Sequence, residues 1–240
     1  ISIPSNSKIT LKDVEKVLEK FDSLKKVKKI GVTGFVSSRL PKKILGIRVN
    51  KVNEIHAIGL GAKIVSGQKN FLAVSCGSGT ACVSVRGKKF SHIGGTAVGG
   101  KTLQGLCKLL LGTSDLEKIS KLAEKGNLKK VDLTLEEIYP TGLGLLPKEA
   151  TASHFGSLKN FSKNDLALGI VNLTAQVVGT TAVFASRAEK KKLIVFTGKL
   201  VSFEPFKKIL LKRIFWLGKT KFLIPKQAGI ATAIGSALYK

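Results

Sequence analysis

Glycine-rich turns between Ser75 and Gln104 have the clearest chemical potential in this chain. An apolar run, Phe71 to Val74, leads into the turn Gly77-Ser78-Gly79-Thr80. Two glycine pairs, Gly94-Gly95 and Gly99-Gly100, then precede a helical pattern. Glycine turns let backbone N–H groups approach an anion, and a helix N-terminus adds a favourable dipole. The spacing therefore predicts a phosphate-binding site and makes phosphoryl chemistry the first hypothesis.

Glu54 stands at the start of a predicted helix, where two interpretations compete. A carboxylate beside a primary alcohol can accept its proton as a phosphoryl group arrives. A solvated glutamate in a first helical turn is also favoured simply by the helix dipole. On spacing alone, the second interpretation is the stronger one.

The elements that must position these residues alternate between strands and helices, which predicts an α/β fold. Thr10 is placed to cap a helix from Leu11 to about Leu24, with Phe21 on its apolar stripe. The other predicted helices are Glu54 to Val65, Thr102 to Leu111, Leu116 to Glu124, Phe206 to Trp216 and Ala228 to Tyr239. The predicted strands are Lys29 to Thr33, Ile44 to Val49, three between Asn70 and Ile93, Leu193 to Thr197 and Lys221 to Ile224.

One long helix is predicted after Ser162-Lys163-Asn164-Asp165, which has the pattern of a capping box with Asp in place of Glu. It runs to about Ala188 and is apolar nearly all round, so we expect it to be buried. Two packing partners are possible for this helix: the rest of the same subunit, or a second copy in a homodimer.

Composition limits the classes of partner. The formal net charge is +26, from 41 basic and 15 acidic residues, and such a field attracts polyanions. The lysines are nevertheless spread along the chain, with the densest clusters at Lys25–Lys29 and Lys190–Lys192. Aromatic residues are only 6%, too few to suggest base stacking. A lysine-rich solvated surface is therefore favoured over a nucleic-acid interface.

The cysteines and the apolar runs bear on the cellular setting. Cys76, Cys82 and Cys107 are odd in number and lack CxxC spacing, which favours a reducing, cytoplasmic environment and inert packing. No uninterrupted apolar run approaches the ~20 residues needed to cross a bilayer, so we expect no membrane partner. The histidines do not suggest a metal-binding trio.

An ordered set of motifs resembles the type II pantothenate kinases, in the actin-like acetate and sugar kinase superfamily. Any one motif is weak, because Gly-x-Gly turns are common, but the set covers nearly all of the chain. The matching segments are Val52–Gly61, Gly77–Thr80, His92–Thr96, Gly99–Gly100 with Gly105–Leu106, Ala150–Gly156, Phe196–Gly198 and Ala231–Gly235.

The resemblance implies a ribonuclease H-like fold in two parts. Residues 1–68 form the remainder of an N-terminal lobe with the catalytic helix, and residues 69–240 form a complete C-terminal nucleotide-binding lobe. The implied reaction is the ATP-dependent phosphorylation of pantothenate, the first step of coenzyme A biosynthesis, with Mg²⁺ bridging the phosphates. A homodimer and binding of acetyl-CoA or CoA are also implied.

The resemblance also assigns roles to individual residues. Glu54 becomes the general base. The implied nucleotide-binding residues are Gly77, Ser78, Gly79, Thr80, Gly99, Gly100, Lys101, Thr102, Leu103, Gln104, Gly198 and Lys199. The implied substrate-binding residues are Glu54, Ser78, His92, Thr151, Ala152 and Phe155.

Departures from the family pattern leave alternatives open. Lys101 replaces a usual glycine, and its side chain either adds a phosphate contact or fills space that the nucleotide needs. His92 stands where many relatives carry an arginine for the pantothenate carboxylate, and the alternative is a hairpin histidine without a role. Phe155 lies in the substrate-pocket segment, with a place in the core as its alternative.

The family's first phosphate loop, Asp-x-Gly-Gly-Thr, has no counterpart in these residues. If they are the whole polypeptide, we expect weak or no kinase activity. The alternative functions are a nucleotide- or acyl-CoA-binding relative without turnover, a kinase for another acceptor, and a basic nucleic-acid-associated protein.

Overall fold

The computed structural model describes residues 10–20, 24–139, 141–218 and 220–240. Its helices are α1 (Leu11–Glu19), α2 (Glu54–Ser66), α3 (Gly100–Leu111), α4 (Leu116–Ala123), α5 (Lys163–Ala188), α6 (Glu204–Trp216) and α7 (Ala231–Leu238). Its strands are β1 (Lys29–Val32), β2 (Lys43–Ile44), β3 (Ile47–Lys51), β4 (Asn70–Cys76), β5 (Thr80–Arg86), β6 (Lys89–Thr96), β7 (Leu133–Thr134), β8 (Thr151–Ser153), β9 (Leu193–Thr197) and β10 (Lys221–Leu223).

A five-stranded sheet in the order β10-β9-β4-β5-β6 forms the centre of the fold. Strands β10, β9 and β4 are parallel, whereas β5 and β6 are joined to β4 by antiparallel hairpins. Because parallel strands end at the same edge, β4 and β9 finish side by side, with Ser75 paired to Thr197. The end of β6 joins them there, since Thr80 at the start of β5 pairs with Thr96.

Helices cover both faces of this sheet, which explains the uninterrupted apolar sequence of β4. Leu72 and Val74 point into a core shared with α5, whereas Phe71 and Ala73 point into a second core beneath α2. All four side chains are fully buried. A strand buried on both faces reads as a continuous apolar run instead of an alternating one.

Helix α7 packs closely against α2 through small residues. A Cβ at Gly61 would lie 1.9 Å from the carbonyl oxygen of Ala231, and one at Gly235 would lie 2.0 Å from that of Ala57. The two backbones are therefore in direct contact. Since α2 also packs on the central sheet, α7 stabilises the placement of the helix that begins with Glu54.

A smaller sheet, β1-β3-β2, corrects the single strand predicted over Ile44 to Val49. The chain turns at Leu45 and Gly46, with φ angles of +49° and +78°, and Ile44 pairs with Ile47 in a tight hairpin. Positive φ at both central residues is the geometry of a type I′ turn. Leucine at the first of these positions is not typical of such a turn, so the sequence did not predict it.

The two capped helices form as predicted at their starts. Thr10 forms a capping box with Asp13, but α1 ends at Glu19 and not near Leu24; Phe21 lies outside the described residues. Ser162 and Asp165 form the box that begins α5. Within the described ranges, only α5 has the length and mean hydropathy of a membrane span. The sequence analysis considered only uninterrupted apolar runs and therefore did not identify it. Since 67% of that apolar window is buried in the protein, α5 has the surroundings of a core helix.

Candidate active site

The predicted site residues gather at the sheet edge where β4, β6 and β9 end. The turn Gly77–Gly79 follows β4, the segment Ala97–Gly99 connects β6 to α3, and Gly198 follows β9. The hydrogen-bond register brings these three connections together, because β4 pairs with β9 and the start of β5 pairs with the end of β6. Strand ends and helix starts at one edge are the usual place for a ligand in an α/β fold.

Helix α2 packs on the sheet face that contains Phe71, Ala73 and Val83. Near its C-terminal end, Lys63 Nζ donates to the carbonyl of Gly87 at the distal hairpin, 2.8 Å away. Nearer the start of the helix, the ring centroid of His56 lies 6.1 Å from that of Phe90 on β6. The end of α2 therefore lies at the distal hairpin, and Glu54 begins the helix at its other end.

An open cleft of about 830 Å³ lies at this edge. Six predicted nucleotide-binding residues line it, namely Gly77, Ser78, Gly100, Lys101, Gln104 and Lys199. Five residues to which the sequence assigned no nucleotide-binding role complete the wall, namely Gly105, Lys108, Ser114, Leu116 and Leu200. The cleft thus combines three lysines with two apolar side chains, and its volume falls in the ~300–1,000 Å³ range of small-molecule sites.

The start of α3 is hydrogen-bonded to the glycine turn. The N–H of Gly100 donates to the carbonyl of Gly77 at 2.9 Å, and the N–H of Lys101 donates to that of Ser78 at 3.0 Å. The N–H of Gly99 donates to the hydroxyl of Thr102 at 3.2 Å. Three N–H groups of the predicted phosphate cradle are therefore occupied by protein acceptors. The lysine side chains supply the positive charge that faces the cleft.

Glycine at position 99 permits this close approach of turn and helix. A Cβ there would lie 2.6 Å from the carbonyl oxygen of Ser78 and 2.7 Å from Cα of Gly79. Gly198 meets a second constraint, because its φ is +94° and a Cβ would lie 2.3 Å from the carbonyl oxygen of Cys76. Both glycines are needed for backbone contact, a role that requires no ligand.

Three other predicted nucleotide-binding residues use their side chains within the protein. Thr80 is buried and its hydroxyl donates to the carbonyl of Val98 at 2.9 Å. Thr102 donates to the carbonyl of Ala97 at 3.1 Å, and Leu103 is fully buried in the core. These side chains hold the loop and helix that form the cleft, and none of them lines it.

Glu54 has an exposed carboxylate that the helix does not need as a cap. The side-chain oxygen of Asn53 accepts from the N–H of Ile55 at 2.9 Å and from that of His56 at 3.4 Å. Within the described part of the chain, Glu54 has no hydrogen-bond or ion-pair partner. Its carboxylate is consequently available to a ligand.

His92 lies on the same sheet face as α2. It pairs with Val83, which is buried beneath that helix, and its own side chain is exposed. Because directly paired residues of an antiparallel ladder share a face, His92 and Glu54 lie on the same side of the sheet. This arrangement keeps His92 compatible with a substrate role.

The predicted substrate segment, Thr151 to Phe155, is anchored by the buried carboxylate of Asp132. The hydroxyl of Thr151 and the N–H of Phe155 each donate to it at 3.0 Å, and the amide of Asn172 on α5 donates at 2.7 Å. His154 Nδ1 lies 3.4 Å from the same carboxylate without an aligned hydrogen bond. The segment is thereby tied to the longest helix of the fold.

Burial acts to raise the pKa of Asp132, but contacts from His154, Phe155 and Asn172 hold it below its ordinary value. The network continues along α5, where Gln176 donates to the side-chain oxygen of Asn172 at 3.0 Å. Sequence reasoning missed this network. The sequence feature that could have revealed the network is the pair Asn172 and Gln176, which lie one helical turn apart in a largely apolar helix.

Phe155 and Ala152 differ in their surroundings. The Phe155 ring packs against α5 at Gly169, where a Cβ would lie 3.0 Å from it, as the core interpretation expected. Ala152 is exposed. Neither they nor Thr151 line the 830 Å³ cleft, so a substrate contact would lie outside that volume.

Metal-ligating side chains are scarce here. Within the described ranges, no group of three or more His, Cys, Asp or Glu residues is placed to hold a metal ion. The residues lining the cleft include no carboxylate, although Mg²⁺ in phosphate sites is normally held by one or two carboxylates with the phosphates. The cleft lining by itself does not fit Mg²⁺.

All three cysteines are buried and free. Burial raises the pKa of the Cys82 and Cys107 thiols to about 11, and it raises that of Cys76 further. Thiols in this state are poor nucleophiles, which confirms their expected inert packing.

Comparison with known proteins gives concordant similarities. A family model described as Fumble matches residues 68–239. A type II pantothenate kinase of Bacillus anthracis is 26% identical, over 97% of this chain and 88% of that protein. One from Bacillus cereus strain G9842 is 29% identical, over 89% of this chain and 82% of that protein.

Solved structures show the fold. The activator of the 2-hydroxyisocaproyl-CoA dehydratase from Clostridium difficile, with bound ADPNP, superposes with a TM-score of 0.63 at 15% identity. This superposition covers 95% of this chain and 79% of the activator chain. The ROK hexokinase from Thermus thermophilus gives 0.58 at 14% identity, over 99% of this chain and 89% of that one. The expected α/β fold of the actin-like ATPases and sugar kinases is thereby confirmed.

Proposed function

The chain belongs to the Fumble family, and on that premise we propose that it is a pantothenate kinase that transfers the γ-phosphoryl group of ATP to pantothenate. The observation that carries the proposal is the lysine-lined cleft at the edge where β4, β6 and β9 end. The similarity to type II pantothenate kinases over most of the chain supports the choice of acceptor.

ATP occupies the cleft in this proposal. Lys101, Lys108 and Lys199 neutralise the phosphates, which is the main task of a protein in phosphoryl transfer. The apolar side chains of Leu116 and Leu200 contact the adenine ring. Gly77, Ser78 and Gly100 form the floor, which is fixed by the hydrogen bonds from Gly100 to Gly77 and from Lys101 to Ser78.

Glu54 acts as the general base. Its carboxylate takes the proton of the pantothenate hydroxyl while the alcohol oxygen bonds to the γ-phosphorus and ADP leaves with the electrons of the broken P–O bond. Asn53 already caps α2, so Glu54 can accept this proton without loss of the cap. His92, when protonated, attracts the pantothenate carboxylate. Thr151, Ala152 and Phe155 remain proposed substrate contacts.

Five further expectations belong to the same proposal. Residues 1–68 and 69–240 act as the two lobes of the enzyme. The protein is a cytoplasmic homodimer that also binds acetyl-CoA or CoA, with Mg²⁺ as the metal of the reaction. Phe184 on α5 and Phe215 on α6 are 55% and 77% exposed, and each is an apolar side chain that a second copy could cover.

A second candidate is a relative that binds a nucleotide or acyl-CoA without turnover. Two observations favour it. The N–H groups of Gly100 and Lys101 are already bonded to the turn, and the cleft lining has no carboxylate for Mg²⁺.

One experiment separates the two candidates. ATP binding is measured by calorimetry, and pantothenate phosphorylation is measured for the protein, for Glu54→Gln and for Glu117→Gln as a matched control. Glu117 is also an exposed glutamate in a first helical turn. We expect Glu54→Gln to lower kcat by about 10²- to 10⁴-fold with ATP affinity unchanged, and the control to keep full turnover.

The other outcomes are equally informative. Full turnover in Glu54→Gln would exclude the assigned base. ATP binding without turnover in the unaltered protein would favour the second candidate. Absence of both would overturn the nucleotide cleft.

A further inference from the structure

A second cavity lies at the opposite end of the central sheet. Its volume is about 530 Å³, and its lining residues are Lys69, Asn70, Arg86, Gly87, Glu189, Lys190 and Lys191. It lies where β4 begins, whereas the cleft lies where β4 ends. Seven residues of strand place the two about 20 Å apart, at ~3.3 Å per residue. A small ligand in one does not touch the other.

Lys191 is the unusual residue of this cavity. Its side chain is only 7% exposed, and its Nζ donates to the side-chain oxygen of Asn70 and, at 3.1 Å, to the carbonyl of Val85. Both acceptors are neutral, and no carboxylate in the described part of the chain lies within ion-pair distance of this ammonium. An ammonium has three N–H donors, so one has no protein acceptor among the described residues.

The charges around Lys191 do not compensate it. Lys69, Arg86 and Lys190 add three positive charges to the lining, and Glu189 is the single negative one. That carboxylate is already paired with Arg86 at 3.0 Å. Burial, and then the charge on Arg86, lowers the pKa of Lys191. A buried charge is costly unless it is paired, and here the missing partner is an anion.

The fold holds these groups in place before any ligand arrives. The N–H of Lys191 donates to the carbonyl of Ser186, and the buried hydroxyl of Ser186 donates back to the carbonyl of Lys191 at 2.7 Å. On the facing side, the N–H of Gly87 donates to the carbonyl of Lys69 at 2.7 Å. The hairpin and the end of α5 are thus fixed, which lowers the entropic cost of binding.

We propose that this cavity, formed by Lys69, Arg86, Lys190 and Lys191, is a binding site for a small phosphorylated ligand, separate from the nucleotide cleft. Arg86 binds phosphate oxygens with its guanidinium, and the buried Lys191 donates its remaining N–H to the same phosphate. The lining contains no aromatic side chain on which a base would stack.

The test uses inorganic pyrophosphate as the probe. It is titrated calorimetrically into the protein saturated with a non-hydrolysable ATP analogue, and ¹H–¹⁵N spectra follow the amides of Gly87 and Lys190. The variants are Arg86→Gln and Lys69→Gln, both at exposed positions where folding is not at risk. Lys192→Gln is the matched control, since it removes the same charge from an exposed neighbour outside the cavity.

We expect saturable binding that shifts the Gly87 and Lys190 amides, weakened about tenfold or more in each cavity variant and unchanged in the control, as for loss of one charged contact. The same weakening in Lys192→Gln would overturn the site in favour of a diffuse field. Absence of pyrophosphate binding would overturn it too. Binding of duplex or single-stranded nucleic acid alone, lost in Arg86→Gln, would replace the small ligand with a nucleic acid. None of these results depends on kinase activity.

Discussion

Gly99→Ala tests most directly how the glycine turn and α3 form the cleft. The φ of Gly99 is −175°, an extended conformation that alanine adopts readily, so the contact alone sets the cost. The new Cβ would lie 2.6 Å from the carbonyl oxygen of Ser78 and within 2.8 Å of two backbone atoms of Gly79. Since backbone must move, we expect a loss of about 1–3 kcal/mol in the free energy of unfolding. For a chain of this size, that lowers Tm by about 2–12 °C.

Two nearby glycines on the same helix provide a graded control. A Cβ at Gly100 would have one tight contact, the carbonyl oxygen of Gly77 at 3.0 Å, and one at Gly105 would meet nothing within 4 Å. Alanine inside a helix gains about 0.5–1 kcal/mol over glycine. Gly100→Ala should therefore be close to neutral, and Gly105→Ala should raise Tm by about 1–4 °C.

Calorimetric unfolding and ATP binding read out the series. Displacing the turn moves Ser78 away from Lys101, so we expect Gly99→Ala to weaken ATP about tenfold, as for a lost charged contact. Gly67→Ala serves as the binding control, because Gly67 ends α2 with a φ of +68°, which strains alanine and lowers stability at a residue that does not line the cleft. A Gly99→Ala protein with the Tm and ATP affinity of the unaltered chain would refute the described contact. The reversed order of Tm values would do the same.

Three other predictions follow from burial and charge. Asp132→Asn should lower the free energy of unfolding in urea by about 1–3 kcal/mol, because an amide donor would face the donors of Thr151 and Asn172; an unchanged value would contradict the network. Lys159 and Thr134 lower the pKa of Glu137 to about 2, so its stabilising contacts are present above its unfolded value near 4.5 and are lost as the pH falls toward 2. Glu137→Gln should flatten the stability profile in that window, and an identical profile would exclude the assignment. At pH 8 a thiol reagent should label none of Cys76, Cys82 and Cys107 until denaturant is added, and fast labelling of the native protein would contradict their burial.

Much of the fold could be predicted because its signals are local. Ser162 and Asp165 mark the start of α5 by a side-chain pattern, and the apolar run of β4 marks a strand buried on both faces. The hairpin at Leu45 and Gly46 could not be predicted in the same way. Leucine rarely adopts the φ of +49° found here, so the residue type gave no warning of a turn.

The candidate site was predictable as a set of chain segments but not as a set of contacts. Parallel pairing of β4 and β9 brings the glycine motifs to one edge, a consequence of topology that the motif order anticipates. The partners of Thr80 and Asp132 depend instead on long-range packing. Thr80 bonds a carbonyl 18 residues away, and Asp132 bonds Asn172 from 40 residues away, separations at which no local pattern operates.

The alternative left open at Lys101 can be argued from the same contacts. Its backbone N–H is bonded to Ser78, which fixes the position of its Cα at the cleft wall, and its side chain is exposed. A cleft of about 830 Å³ remains with this side chain present, so space for a ligand is not exhausted. The N–H groups of Gly100 and Lys101, which the start of α3 would otherwise offer to phosphate, are committed to the carbonyls of Gly77 and Ser78. A lysine at this position supplies the charge those groups no longer provide, and this favours a phosphate contact over a steric block.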